Sequence, residues 1–236
     1  MSRKAAYVTL LTKASYLAGT LVLDHGLRSV HSKYPLVVMV TPSLAPEARE
    51  VLRMRGVLTR DIQSLQPRMA HTLSAHDARF ADTWTKLRIP ANCAHSKVEG
   101  PKALPPPCTP TSPRPYKQLN SGTVVLNPSE ELHEGIVHFL STYDKIADFV
   151  FPDQDLLTAY FEGRWQPLHW YYNALRTLRY THPNLWKDDE SRITPQESEA
   201  QLGEMNRWWW KEFDELGDKM QKTDPSGWQF VLSSIK

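Results

Sequence analysis

Apolar positions follow two rhythms in the first quarter of the chain. Ala6–Leu11 is a short, apolar, β-branched run, the pattern of a buried strand. Ser15–His31 then carries Leu17, Leu21, Val22, Leu27 and Val30 at helical spacing. Pro35–Val40 is a second buried-strand run, closed by Thr41 and Pro42. Pro46–Arg55 predicts a helix with proline in its first turn and Gly56 as its stop. Leu58–Ile62 predicts a third strand. Strand, helix, strand, helix, strand is the order of a parallel α/β sheet.

Asp77–Leu87 predicts another helix, with Phe80, Trp84 and Leu87 on one face. From Pro90 to Lys117 no period survives. Proline recurs at 101, 105, 106, 107, 110, 113 and 115, which excludes a central strand or a helix interior. Gly122–Leu126 predicts a buried strand. Ser129 is placed to cap a helix running to about Tyr143, with Glu130 and Glu131 favourable in its first turn. Asp153 opens a short helix through Leu156, Leu157 and Tyr160. Trp165–Tyr172 reads as aromatic and extended. A last long helix starts near Glu199 and carries Met205, Trp208, Trp209 and Phe213. No repeat or second domain is evident, so residues 1–236 read as one domain with an irregular segment over 90–117.

Composition narrows the function. A net charge of +2 argues against nucleic acid as the main partner. Cys93 and Cys108 form neither a disulfide framework nor a zinc spacing. The apolar run after the N-terminal Met-Ser-Arg-Lys is too short for a secretory segment, and Leu36–Val40 is far short of a membrane span. These features predict a cytoplasmic protein in a reducing compartment.

Several segments, in order, resemble glycosyltransferase family 8, the glycogenin and galactinol synthase group. They are Ala6–Thr12 with Tyr16, Leu36–Pro42 and Thr83–Leu87. After the proline-rich stretch come Leu119–Gly122, Asn127–Ser129, Phe151–Leu157 and Tyr172-Asn173. No single segment is specific; the ordered set is. The resemblance implies an α/β, GT-A-type Rossmann-like nucleotide-diphospho-sugar transferase fold. It also implies transfer of a hexosyl unit from a UDP-sugar, with retention, to an acceptor that the sequence does not name. A homo-oligomer is among the arrangements it allows.

By that resemblance, Leu10, Thr12 and Tyr16 frame the uracil and ribose, at the carboxyl end of the first strand where open α/β sheets bind ligands. The plainer alternative is that Leu10 and Tyr16 are core residues. Lys86 matches the lysine that reaches the donor phosphates and offsets leaving-group charge. The alternative is a solvated lysine on an amphipathic helix. Asn120 and Ser121 match the Asn-Ser-Gly turn beside the transferred sugar, or form an ordinary turn. Asp153 and Gln154 match the pair near sugar and acceptor; the alternative for Asp153 is a helix N-cap without chemistry. Leu10, Thr12, Tyr16, Lys86, Asn120 and Asp153 are expected to converge on one cleft.

The family also uses a divalent metal, usually Mn2+, held by an Asp-x-Asp after a central strand and by a later histidine. Here Leu87 passes almost directly to Ile89-Pro90-Ala91, and Asp188–Arg192 leads straight to Ile193-Thr194-Pro195. Neither junction holds the expected segment. His169 and His182 lack the motif's context. Asp153-Gln154-Asp155 is the chain's only Asp-x-Asp, but its order assigns it to the Asp-Gln segment. No metal ligand is therefore assigned. Two omissions with intact flanks fit a spliced or misassembled gene product, or a degenerate relative; transcripts across both junctions separate these. The second functional reading is thus an impaired relative that binds nucleotide-sugar or a protein partner. A third feature, Trp208-Trp209-Trp210, cannot be all core, because consecutive helical residues point in different directions.

Overall fold

The computed structural model describes residues 5–67, 82–88, 119–166, 168 and 204–235. Its ordered elements are β1 (Tyr7–Leu11), α1 (Leu17–Ser29), β2 (Leu36–Val40), α2 (Pro46–Met54), β3 (Leu58–Asp61), α3 (Glu130–Thr142), α4 (Pro152–Tyr160), α5 (Glu204–Thr223) and α6 (Pro225–Ser234). The protein is mixed α/β, with a small parallel sheet in the order β1-β2-β3. That architecture is compatible with a GT-A-type fold.

The chain divides into two compact units. One comprises Met1–Leu10, Met39–Pro42 and Arg60–Asn173; the other comprises Leu11–Val38, Ser43–Thr59 and Ala174–Lys236. The strands take residues from both.

In the second unit, α1 packs on α5 and α6, α5 packs on α6, and α2 packs on α6. The residues buried there include Leu17, Leu21, Leu52, Phe213, Leu216, Met220, Trp228 and Val231. Phe213, Leu216 and Met220 recur at helical spacing on α5, so one stripe faces the core. Gly217 lies on that stripe because Trp228 needs the space: a Cβ there would stand 2.6 Å from the indole. Gly56 ends α2 at φ 65°, the left-handed conformation glycine adopts without penalty. Asp24, buried in α1, accepts from Arg28 and Arg55 at 2.8 Å each.

In the first unit, the core is Leu65, Trp84, Leu87, Leu119, Ile136, Leu140, Ile146, Leu156 and Leu157. Ser129 caps α3 by accepting from the Leu132 amide at 3.0 Å, with Glu130 and Glu131 in the first turn. Both features follow the sequence expectation.

Three elements differ from that expectation. Gly122–Leu126 is not a strand: residues 121–129 are turn and irregular backbone, and Val125 is 51% exposed. Its β-branched residues favour a strand only beside a neighbour, and among the described residues the sheet has three strands, none of them this one. Thr83–Arg88 is a short 3-10 helix, with Trp84 and Leu87 buried. The first predicted helix opens as a 3-10 turn at Ala14–Tyr16 before α1. Residues 68–81, 89–118, 169–203 and both junctions lie outside the described residues. So do the proline-rich segment, the cysteines, His169, His182 and most of the Trp165–Tyr172 run.

Candidate functional site

Lys86, Asn120, Asp153 and Gln154 each lie next to a core anchor or one helical turn from one. Lys86 sits between buried Thr85 and Leu87, and Asn120 follows Leu119. Asp153 and Gln154 precede Leu156 and Leu157 by one helical turn. Burial of the anchors fixes where the polar groups emerge at the edge of the core.

Thr85 holds the lysine's turn. Its buried Oγ1 accepts from the Leu65 amide at 3.2 Å. Lys86 Nζ then donates to Asp153 Oδ2 at 3.1 Å. The lysine side chain is 37% exposed and the aspartate 6%. A carboxylate buried to that degree is costly without a partner, and Lys86 supplies one. An ammonium has three N–H groups, so hydrogens remain to reach a ligand.

Asn120 Nδ2 donates to Gln154 Oε1 at 3.1 Å, while Asn120 Oδ1 accepts from the Gly122 amide at 2.9 Å. Acceptance from the amide fixes which end of the Asn120 side chain faces Gln154. Lys86–Asp153 and Asn120–Gln154 are therefore two hydrogen-bonded pairs, adjacent through the sequence neighbours Asp153 and Gln154, and Ser121 continues the Asn120 turn. The helix start that carries Asp153 and Gln154 is held by Asp155. Its Oδ2 accepts from the Val150 and Phe151 amides at 2.9 Å each. Asp155, not Asp153, thus holds the backbone entering α4.

Leu10, in β1, is half-buried; Thr12, after it, is buried; Tyr16 is 52% exposed. Thr12 and Tyr16 belong to the second unit, whereas every contact just described lies in the first. Two cavities of about 250 and 440 Å³ are lined by residues of the second unit, and no candidate site residue lines either.

The family's metal does not fit the described carboxylates of this group. Asp153 is paired with Lys86 and Asp155 accepts two amides. Among the described residues, no group of three His, Cys, Asp or Glu could hold a metal ion. No helix of the described residues is long and apolar enough to cross a membrane. Of the consecutive tryptophans, Trp208 is 52% exposed, while Trp209 stacks on Phe213 at 5.2 Å and Trp210 meets both edge-on.

Similarity to known proteins identifies the class: the chain is a relative of the family 8 glycosyltransferases. No protein-family model matches it. Galactinol synthases are among the proteins it resembles. Galactinol synthase 1 of Solanum lycopersicum is 26% identical over 215 residues, covering 75% of this chain and 67% of that protein. Galactinol synthase 1 of Ajuga reptans is 25% identical, covering 78% and 68%. Galactinol synthase 4 of Arabidopsis thaliana is 26% identical, covering 76% and 67%. An alignment of 215 positions that takes up only 75% of a 236-residue chain contains gaps in this chain. The relative therefore carries residues inside the matched stretch that have no counterpart here.

Proposed function

We propose that this chain is a glycosyltransferase-type protein that takes a UDP-hexose donor, and that its transfer activity is impaired by the missing metal-binding segments. Lys86 meets the donor diphosphate. Asn120, Ser121, Asp153 and Gln154 face the hexose. The contact between Lys86 and Asp153 carries the reading. Residues 67 positions apart, drawn from two separate family motifs, meet at 3.1 Å.

The diphosphate develops negative charge as the glycosyl bond breaks. Lys86 is a point charge and cannot chelate two phosphates. Loss of one preorganised electrostatic contact lowers kcat by about a hundred- to a thousand-fold. Absence of the Asp-x-Asp strand and the late histidine motif should cost at least as much. UDP-galactose is the donor to try first, because the relatives are named galactinol synthases.

The test is hydrolysis and transfer by the purified, folded chain with UDP-galactose and UDP-glucose, with and without manganese. Turnover far below about 1 per second, unmoved by manganese, agrees with the proposal. Manganese-stimulated turnover at or above that rate contradicts the impairment.

A further inference from the structure

Thr158 belongs to none of the motifs that mark the family, yet it joins two of them. It lies in α4, one turn after Gln154. Its Oγ1 donates to the Gln154 carbonyl at 2.8 Å and accepts from the Leu119 amide at 3.0 Å. One hydroxyl therefore links the helix carrying Asp153 and Gln154 to the residue before Asn120. The linkage continues from Asn120 Nδ2 to Gln154 Oε1.

Beyond Leu119 the turn is largely exposed. Leu119 is buried, but Asn120, Gly122, Thr123, Val124 and Val125 are exposed. A turn so exposed is positioned by its hydrogen bonds more than by packing. We propose that Thr158 is a positioning residue of the donor site: it locks the Asn120–Ser121 turn to α4, so that these residues and Gln154 present one fixed polar surface. The inference rests on the donor-site reading above. Thr158 touches no ligand and acts through Asn120. Small displacements of a positioning group are enough to lose much of its effect.

Thr158→Val keeps the shape and removes the hydroxyl; Thr158→Ser keeps the hydroxyl. The readouts are hydrogen exchange at the Leu119 amide and affinity for UDP-galactose. The Leu132 amide, bonded to Ser129 in the same unit, is the control. In Thr158→Val, Leu119 should exchange about tenfold faster and UDP-galactose should bind about tenfold more weakly, with Leu132 unchanged. Thr158→Ser should restore both. Unchanged Leu119 exchange in Thr158→Val overturns the tie. Faster exchange with unchanged affinity overturns its positioning role. If Leu132 is also lost, Thr158→Ala and Thr158→Ser, which differ only in the hydroxyl, replace the valine comparison with the same outcomes. Absence of UDP-galactose binding by the wild type sinks the donor-site reading and with it the positioning role, while the Leu119 exchange still decides the tie.

Discussion

Lys86 and Asp153 share an ion pair unequally: the lysine is 37% exposed and the aspartate 6%, with Nζ 3.1 Å from Oδ2. The two partners should therefore not be equivalent on removal. Lys86→Met leaves a buried carboxylate without its cation, the costly arrangement. Asp153→Asn leaves an ammonium that can turn to water and an amide that can still accept. Thermal or urea unfolding at neutral pH should show Lys86→Met losing about 1–3 kcal/mol and Asp153→Asn less than about 1 kcal/mol. Equal losses would mean that the aspartate is not buried as described.

Two glycines in helices should respond to alanine with opposite signs. Gly19 is exposed in α1, and a Cβ there meets nothing within 4 Å. Gly19→Ala should stabilise by about 0.5–1 kcal/mol through the backbone entropy of the unfolded chain. Gly217→Ala must displace the Trp228 ring, 2.6 Å from the new Cβ, and should destabilise by about 1–3 kcal/mol. Calorimetric melting of the two variants beside the wild type checks both signs.

His133 gives the folded protein a dependence on pH. Burial, then the nearby Arg88 charge, push its imidazole below the usual histidine range; Glu134 and Glu130 oppose this more weakly. Its Nε2 is buried without a hydrogen-bond partner. The unfolded chain thus takes up the proton before the folded one. The stability contribution is fully present above the unfolded histidine pKa of about 6.5 and is lost as pH falls below it. Substituting His133→Phe should flatten the fall in unfolding free energy below pH 6.5. An unchanged slope would place the proton elsewhere.

Ser129 offers a simpler check of local capping. Removing its Oγ leaves the Leu132 amide without that partner, so Ser129→Ala should cost about 1 kcal/mol. Ser129→Asp, which can accept the same bond at the positive end of the helix, should restore it. Urea titration of both variants reads the difference.

Much of the fold was legible because its signals are local. Strand runs, helical spacing, the Ser129 cap and the Gly56 stop lie within a few residues of what they specify. Gly122–Leu126 misled because two adjacent valines signal a strand only when a neighbouring strand exists to pair with them. The sequence reading named no helix after α5, although Asp224 and Pro225 carry a start signal: the Asp224 carboxylate accepts from the Gly227 amide at 2.9 Å. Family order pointed to Lys86, Asn120, Asp153 and Gln154, and the fold pairs Lys86 with Asp153 and Asn120 with Gln154. It could not distinguish Asp155, which braces the backbone, from Asp153, which meets the lysine. Both lie in one helical turn, and only the tertiary path of Val150 and Lys86 separates them. Thr158 was silent for the same reason, since its partner, Leu119, is 39 residues away in sequence.

Binding of UDP-galactose to wild type, Lys86→Ala and Asp153→Asn, by calorimetry without metal, tests the central claim most directly. Lys86→Ala should bind at least about tenfold more weakly, the loss of a charge-assisted hydrogen bond to phosphate. Asp153→Asn should bind about two- to fivefold more tightly, because Lys86 no longer shares its charge with a carboxylate. Wild-type affinity in folded Lys86→Ala, or no binding by the folded wild type, would contradict a donor site at Lys86.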